Sequence, residues 1–174
     1  MNKEASGEDN IVRVDAEAFS KAGLRLLSDL GVDEYCANHT IKGLVYASLR
    51  GIDSHGVRLF PHYLAELRAG RINRIPRFKF TRSASAVSLL DADHAFGIPA
   101  GVKAMKECVK LARENGVSVV SVRNSSHCAT LSYFTSIAAE AGMIGLAMTG
   151  ATPKLATPNA KKSFFGTNPI CLVA

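Results

Sequence analysis

The sequence predicts a mixed α/β fold in which a helical N-terminal unit precedes strands that alternate with helices. In the first third of the chain, apolar residues recur at helical spacing between capping residues. Further along, short β-branched runs alternate with amphipathic segments. A hydrophobic fraction of 47% in 174 residues is enough for a buried core and excludes a disordered chain.

Helices are predicted first, from their start and stop signals. Asp15 can cap the first helix, which Gly31 would end. Asp33 can cap a second helix, with Gly51 at its end. A third helix is expected over residues 60–69, because a proline suits its first turn and a glycine follows it.

Beyond Gly70 the pattern changes to alternating strands and helices. The predicted elements are a strand with Phe78 and Phe80, strand 87–90, helix 98–115, strand 117–122, helix 130–141 and strands 143–149 and 170–173. Strand–helix–strand order predicts an α/β layer with crossover connections. We expect residues 1–10 to form a disordered tail, residues 11–75 the helical unit, and residues 76–174 the first part of an α/β domain.

Composition narrows the function classes further. The longest apolar stretch is interrupted, and the N-terminus has no secretion signal, so we expect a cytoplasmic protein without a membrane segment. Four cysteines lack zinc-like spacing. The net charge of +6 is concentrated in residues 68–82, which could be a solvated surface or could face anionic substrates or cofactors. Nucleic acid is not expected, because no binding motif accompanies the charge.

The segment from Gly51 to Arg58 could carry chemistry. Two glycines allow a tight turn that presents polar side chains to a cleft. His55 could move a proton near neutral pH, and Arg58 could bind a carboxylate. The alternative is a simple helix–helix turn with Ser54 as N-cap and His55 on the surface.

A second candidate segment, Asn124 to His127, follows a predicted strand and precedes a helix. Ligands of α/β sheets gather beyond the carboxyl ends of strands, so His127 is well placed for catalysis. Ser125 or Ser126 could instead cap the next helix, and Tyr133 could be a core residue.

Other segments carry weaker signals. Asp91, Asp93 and His94 could bind a metal, and a metal-dependent hydrolase using them with Asp53 and His55 is an alternative, but a polar turn after a strand fits better. We therefore expect no metal. Residues 166–170 form a predicted turn that starts a strand, and neither G-x-G-x-x-G nor a P-loop occurs.

Five segments in order resemble the malate/L-lactate dehydrogenase family of the non-Rossmann type. They are LRGIDSHGVRLFPHYLAELRAGRIN, LLDADHAFG, VRNSSH, AEAGMIGLAMT and FGTNPI. That family also includes ureidoglycolate and sulfolactate dehydrogenases, diketogulonate reductase and piperideine-2-carboxylate reductase. The resemblance implies a helical unit plus part of a three-layer α/β/α nicotinamide-binding domain. Members are roughly twice as long, and the chain ends inside an apolar run, so we expect a truncated protein.

The resemblance also implies NAD- or NADP-dependent interconversion of a small 2-hydroxy acid and 2-oxo acid by a homodimer. His127 matches the family's proton-transferring histidine, and His55 matches a second histidine with that role in some members. Arg58 and Tyr63 would hold the substrate carboxylate and a neighbouring oxygen, and Ser54 would hydrogen-bond the acid.

Cofactor contacts are expected at Ala151 and Asn168. Three departures from the family pattern occur: Cys128-Ala129 replaces Phe-Gly, Gly150-Ala151 replaces Asn-Ser, and a glycine pair is missing at Asn159-Ala160. They leave the histidines and Arg58 intact and favour a diverged substrate. An inactive relative or a non-catalytic interaction domain is the alternative.

Overall fold

A computed structural model describes residues 12–174 and shows a mixed α/β chain, which confirms the predicted class. The predicted tail at residues 1–10 lies outside the described residues. The helices are α1 (Ala16–Asp29), α2 (Glu34–Ser48), α3 (Phe60–Arg68), α4 (Gly97–Asn115) and α5 (Ser132–Glu140). The strands are β1 (Lys79–Ala84), β2 (Val87–Ala95), β3 (Val119–Ser125), β4 (Gly145–Met148) and β5 (Ile170–Val173). Two short 3-10 turns, Asp53–His55 and Val57–Leu59, join α2 to α3.

The first two predicted helix starts are confirmed by side-chain caps. Asp15 Oδ1 accepts a hydrogen bond from the main-chain N–H of Ala18 at 2.8 Å, and Asp33 Oδ1 accepts one from Cys36 at 3.1 Å. Each bond satisfies an N–H that the helix itself leaves without a partner. Capping of this kind involves residues three apart, so the local sequence is enough to predict it.

The strands form two small sheets. β2 lies between β1, its antiparallel neighbour, and β3, which runs parallel to it, and α4 makes the crossover from β2 to β3. β4 pairs antiparallel with β5 in a separate sheet. The predicted second crossover, which would have put β4 in the same layer as β3, is therefore wrong. The reason is that α5 packs against α4 on one side and against β4 and β5 on the other.

Strand β2 is longer than predicted and passes through the expected polar turn at Asp91 to His94. Asp93 and His94 have φ values of 49° and 59°, and the irregular backbone is held by carboxylates. Asp91 Oδ1 accepts from the N–H of Asp93 at 3.1 Å, and Asp93 Oδ2 accepts from Asn73 Nδ2 at 2.9 Å. The prediction that a turn ends the strand here is wrong, because residues 92–94 form an irregularity within β2 and Ala95 pairs with Ser125 of β3 beyond it.

The helical unit shares its core with the α/β part. Leu27, Leu44 and Tyr63 are buried together with Phe96 and residues 98 and 129. This common core brings α3 against the start of α4 and the segment after β3. One side of the β4–β5 pair, in contrast, is exposed and apolar. Within residues 12–174, no helix is long and apolar enough to cross a bilayer.

Candidate active site

His127 lies in the loop between β3 and α5, and the start of α4 holds this loop in place. Ser126 Oγ accepts a hydrogen bond from the main-chain N–H of Gly97 at 3.2 Å. A Cβ built on Gly97 would meet the Ser126 carbonyl oxygen and would lie 2.7 Å from the His127 carbonyl carbon. Only glycine permits this close approach. The alternative interpretation of Ser126 as the cap of α5 is wrong, because α5 begins without a side-chain cap.

Tyr63, on α3, reaches His127 from the buried side. Its side chain is 1% exposed, and its hydroxyl lies 2.9 Å from Nδ1 of His127. The same hydroxyl donates to the main-chain carbonyl oxygen of His127 at 3.2 Å. The family resemblance implies a substrate contact for Tyr63, whereas the structure places its hydroxyl on the histidine.

His55 is a second ring that contacts His127. Their rings are stacked, with centroids 5.8 Å apart and planes 28° from parallel. Ser54 Oγ lies 3.0 Å from Nδ1 of His55 and makes no helix cap, so the capping alternative for Ser54 is wrong. Thus the two segments that the sequence singled out, around His55 and around His127, meet in space.

The environment of His127 favours its neutral form. One part of the His127 ring is exposed to solvent, and the other part is packed against protein and excluded from water. That burial, and then the positive charges of His55, His62 and Lys154, lower the pKa of His127 from 6.5 to about 4. Burial, together with the nearby Cys128 thiol, raises the pKa of the Tyr63 phenol. Near neutral pH, His127 is therefore an uncharged imidazole next to an uncharged phenol.

A cavity of about 220 Å³ opens beside His55. Its lining includes Thr130, Ser132, Pro169 and Cys171. None of these four residues stands out in the sequence pattern. The nearest signal was the predicted turn at residues 166–170, which predicted a strand start but no cavity wall. The cavity has the size for a small organic acid or part of a larger ligand.

Other predicted site residues lie outside this cluster. Arg58 is exposed on the second 3-10 turn and makes no hydrogen bond or ion pair with any other residue in the described range. Ala151 and Asn168 contact each other, since Asn168 Oδ1 accepts from the Ala151 N–H at 2.9 Å. Lys154, which the sequence analysis missed, lies in the same exposed segment as Ala151, and its charge reaches His127.

No group of three side chains suited to a metal occurs within residues 12–174. The acidic residues of the LLDADHAFG segment have structural partners instead. Asp91 forms an ion pair with Arg123, whose Nη2 lies 2.9 Å from Oδ2, and it also accepts from Asn124 Nδ2 at 3.1 Å. Asp93 accepts from the Arg77 N–H at 2.9 Å. These bonds tie the ends of β2 and β3 to the segment before β1.

The mixed sheet of β1–β3 with its crossover helix α4, and the separate sheet of β4 and β5, define an α/β protein. The family model described as malate/L-lactate dehydrogenase matches residues 14–174. The chain belongs to that family, as the resemblance indicated.

Two relatives and one solved structure illustrate the similarity. Malate dehydrogenase from Pyrococcus abyssi is 40% identical over 167 residues, which are 96% of this chain and 46% of the relative. L-sulfolactate dehydrogenase from Methanocaldococcus jannaschii is 36% identical, over 90% of this chain and 45% of the relative. The structure of malate dehydrogenase from Pyrococcus horikoshii has a TM-score of 0.88 at 34% identity, covering 99% of this chain and 49% of that one. The chain thus spans about half the length of these relatives.

Proposed function

We propose that the protein is an NAD- or NADP-dependent oxidoreductase that interconverts a small 2-hydroxy acid and its 2-oxo acid. The observation that carries the proposal is that His127 stacks on His55, which lines a small cavity. Reduction of a 2-oxo group requires a proton for the carbonyl oxygen, and a histidine can exchange one. Membership of a dehydrogenase family supports the same reaction.

In this proposal His127 transfers the proton, and His55 is the second candidate for that role. Either nitrogen of an imidazole can carry a proton. Proton transfer to or from the substrate therefore requires that the nitrogen facing it has a defined protonation state. Nδ1 of His127 already contacts Tyr63, which leaves Nε2 for the substrate oxygen. In the oxidative direction, neutral His127 accepts the hydroxyl proton at Nε2, and in the reductive direction it returns that proton.

Substrate binding is assigned to Ser54 and Arg58, because the buried Tyr63 hydroxyl is directed at His127 instead. Ser54 lies next to His55, and its hydroxyl can donate to a carboxylate once it turns from the ring. The Arg58 guanidinium has no hydrogen-bond or ion-pair partner among residues 12–174. It is therefore available to pair with the carboxylate of a substrate. Such pairing would orient the acid for the reaction.

The nicotinamide cofactor is assigned to the segment of Ala151 and Asn168. Asn168 Oδ1 already accepts a hydrogen bond from the Ala151 N–H. Asn168 Nδ2 and the adjacent main-chain groups therefore remain available to bind a ligand. A Cβ on Gly166 would meet the main-chain carbonyl of Ala151 and would lie 2.9 Å from its carbon, so the two sides of this loop are already in close contact. This donor set fits neutral amide and sugar hydroxyl groups. When bound, the nicotinamide would supply or accept the hydride.

The test is an assay of the protein expressed from its natural coding sequence. We expect reduced nicotinamide absorbance to fall when NADH or NADPH is offered with a panel of 2-oxo acids that includes oxaloacetate, pyruvate and sulfopyruvate. The panel is run with both cofactors, which also decides between NAD and NADP. Failure of every combination, with a folded protein, would reject the proposal.

Assembly and location are further parts of the proposal. We infer a homodimer in the cytoplasm, in keeping with the family resemblance. Sedimentation velocity at low protein concentration would give twice the mass of one chain for a dimer. Cell fractionation followed by immunoblotting would test the location, and recovery in the membrane fraction would contradict it.

A second candidate function, a non-catalytic binding module, is favoured by one observation. The outward side chains of β4 and β5 are apolar and between 52% and 71% exposed: Leu146, Met148, Ile170 and Leu172. An apolar face of this kind is typical of an interaction surface. This candidate predicts a folded protein that shows no turnover with either cofactor.

A further inference from the structure

The most defined polar contacts of the candidate site lie behind the catalytic histidine, between Tyr63 and His127. Tyr63 comes from α3 and His127 from the loop after β3, yet the phenol ring is packed between Phe96 and the imidazole, with centroids 5.8 Å and 5.9 Å away. At 1% exposure, the Tyr63 side chain has no open path to a ligand. Its hydroxyl therefore acts on the histidine.

The hydroxyl of Tyr63 has two acceptors within reach but only one hydrogen to donate. Nδ1 of His127 lies 2.9 Å away, and the carbonyl oxygen of the same residue lies 3.2 Å away. If Nδ1 is unprotonated, it accepts a hydrogen bond from the hydroxyl. The hydroxyl oxygen and the carbonyl oxygen then lie close together with no hydrogen between them. If Nδ1 carries the proton, Nδ1–H donates to the hydroxyl oxygen, and the hydroxyl donates to the carbonyl. Both contacts are then hydrogen bonds.

One contact opposes this second arrangement. The main-chain N–H of Ala129 points at Nδ1 from 3.3 Å, which favours an unprotonated Nδ1. It is the longest of the three contacts, and hydrogen bonds weaken with distance. The 2.9 Å contact is a hydrogen bond in either arrangement, so the choice lies between the 3.3 Å contact and the 3.2 Å contact with the carbonyl oxygen. Protonation of Nδ1 keeps the shorter of these two as a hydrogen bond.

We propose that Tyr63 is a positioning residue that holds His127 as the Nδ1–H tautomer, by accepting from Nδ1 and donating to the residue's own carbonyl. The consequence, which rests on the proposed function, is that Nε2 has a free lone pair for the hydroxyl proton of a 2-hydroxy acid. When Nε2 takes that proton, His127 becomes an imidazolium, and Nδ1–H keeps its bond to Tyr63. The proton returns from Nε2 in the reductive direction, so neither hydrogen of the Tyr63 network has to move.

The arrangement has the logic of a catalytic triad, in which a third group fixes the tautomer of the histidine. A buried carboxylate would also stabilise the imidazolium by its charge. The neutral Tyr63 phenol orients the His127 ring but adds no negative charge to stabilise an imidazolium. This agrees with the lowered pKa of His127, which stays neutral near pH 7 until it reacts.

The test is the tautomer of His127, read from its ring ¹⁵N shifts in long-range ¹H–¹⁵N correlation spectra of the 174-residue chain at neutral pH. We expect a protonated Nδ1 and an unprotonated Nε2 in the wild type. In Tyr63→Phe, which keeps the buried ring, we expect the protonation pattern to reverse to the Nε2–H form that free histidine prefers. The signals are assigned by comparison with His127→Gln.

Ser54→Ala is the matched control, because it removes a hydroxyl near Nδ1 of the other histidine, His55. It should leave the shifts of His127 unchanged. A wild type that carries the proton on Nε2 would overturn the proposal, even if Tyr63→Phe failed to fold. A Tyr63→Phe variant that is folded and keeps Nδ1–H would overturn it as well.

An activity measurement separates positioning from substrate contact. In an active enzyme, loss of positioning should lower kcat for oxidation of the hydroxy acid by about tenfold or more while KM changes little. A rise in KM at unchanged kcat would instead indicate that Tyr63 binds substrate. Because the tautomer is read without turnover, the proposal can succeed or fail independently of the dehydrogenase assignment.

Discussion

The imidazole rings of His55 and His127 lie stacked, 5.8 Å apart, although they come from the loop after α2 and the loop after β3. Stacking puts two groups that can become cations next to each other, so a charge on one disfavours a charge on the other. After burial, the charge of His55 is the next cause that lowers the pKa of His127. This relationship underlies the first two predictions.

Replacing His127 by Gln should lower turnover of the active enzyme by about 100-fold or more, the usual contribution of a general acid–base residue. Glutamine is close in size and can still accept a hydrogen bond, so the fold should persist. The measurement is kcat together with the circular dichroism spectrum.

The control is His94→Asn. His94 is exposed in β2 with φ at 59°, a conformation that asparagine tolerates. Normal activity in this variant, with loss in His127→Gln, assigns the effect to the site. A folded His127→Gln variant at full activity would remove His127 from the mechanism.

Stability should fall as the pH is lowered from about 6.5 to about 4. In the folded chain, burial and neighbouring cations lower the pKa values of His127 and His39 from 6.5 to about 4. Between these values the unfolded chain binds more protons than the folded chain, so acid favours unfolding. The stabilisation is complete above pH 6.5 and lost toward pH 4. Because both rings keep some solvent contact, each should account for about 1–2 kcal/mol.

Urea unfolding at a series of pH values measures this effect. His39→Gln removes one titrating group in a contact with Tyr133, where Nδ1 and the hydroxyl are 3.1 Å apart. We expect a shallower pH dependence in that variant and a flatter one still when His127→Gln is added. An unchanged slope in the double variant would show that other groups control the acid response.

Gly97→Ala should destabilise the fold by about 2–3 kcal/mol, as overpacking in a tight site does. The added methyl group would meet the Ser126 carbonyl oxygen and would come within 2.7 Å of the His127 carbonyl, and main chain moves less easily than side chains. Displacement of this loop should also lower activity. Thermal unfolding and turnover are the two measurements.

Gly150→Ala is the matched variant, because a Cβ there meets no heavy atom of the described chain within 4 Å. It should change stability by less than about 0.5 kcal/mol. Equal destabilisation by the two substitutions would contradict the close contact at Gly97.

Thr40→Val should stabilise the protein by about 1 kcal/mol. Thr40 is fully buried in α2, and its hydroxyl has no hydrogen-bond partner within residues 12–174. Valine keeps the shape and removes the unpaired polar group. Thr135→Val is the comparison, since the equally buried Thr135 hydroxyl donates to the Leu131 carbonyl oxygen at 3.2 Å. Chemical denaturation should show a gain in the first variant only.

Several elements could be predicted because their signals are local. The helices begin where Asp15 and Asp33 cap them, and α4 ends at Gly116, whose φ is 80°. The two histidine segments were also recognisable as candidate site residues. Their spacing alone left a helix–helix turn and a helix cap as alternatives, because nothing local says whether a side chain meets a distant one.

The errors arose where partners lie far apart along the chain. Ser126, which follows β3, accepts a hydrogen bond from the first N–H of α4. Ala95 pairs with Ser125, so β2 continues where a turn was predicted. β4 pairs with β5, because α5 packs between them and α4. No short-range pattern contains this information.

The amino-acid sequence by itself determined the helix starts, the α/β class and the family, because caps, periodicity and ordered motifs depend on neighbouring residues. Only the tertiary structure decided that Tyr63 turns inward to His127 and that His55 stacks on His127. The physical reason is the shared core of α1–α3 with Phe96 and residues 98 and 129. Burial of apolar side chains brings these segments together, and the polar contacts form where that packing leaves them.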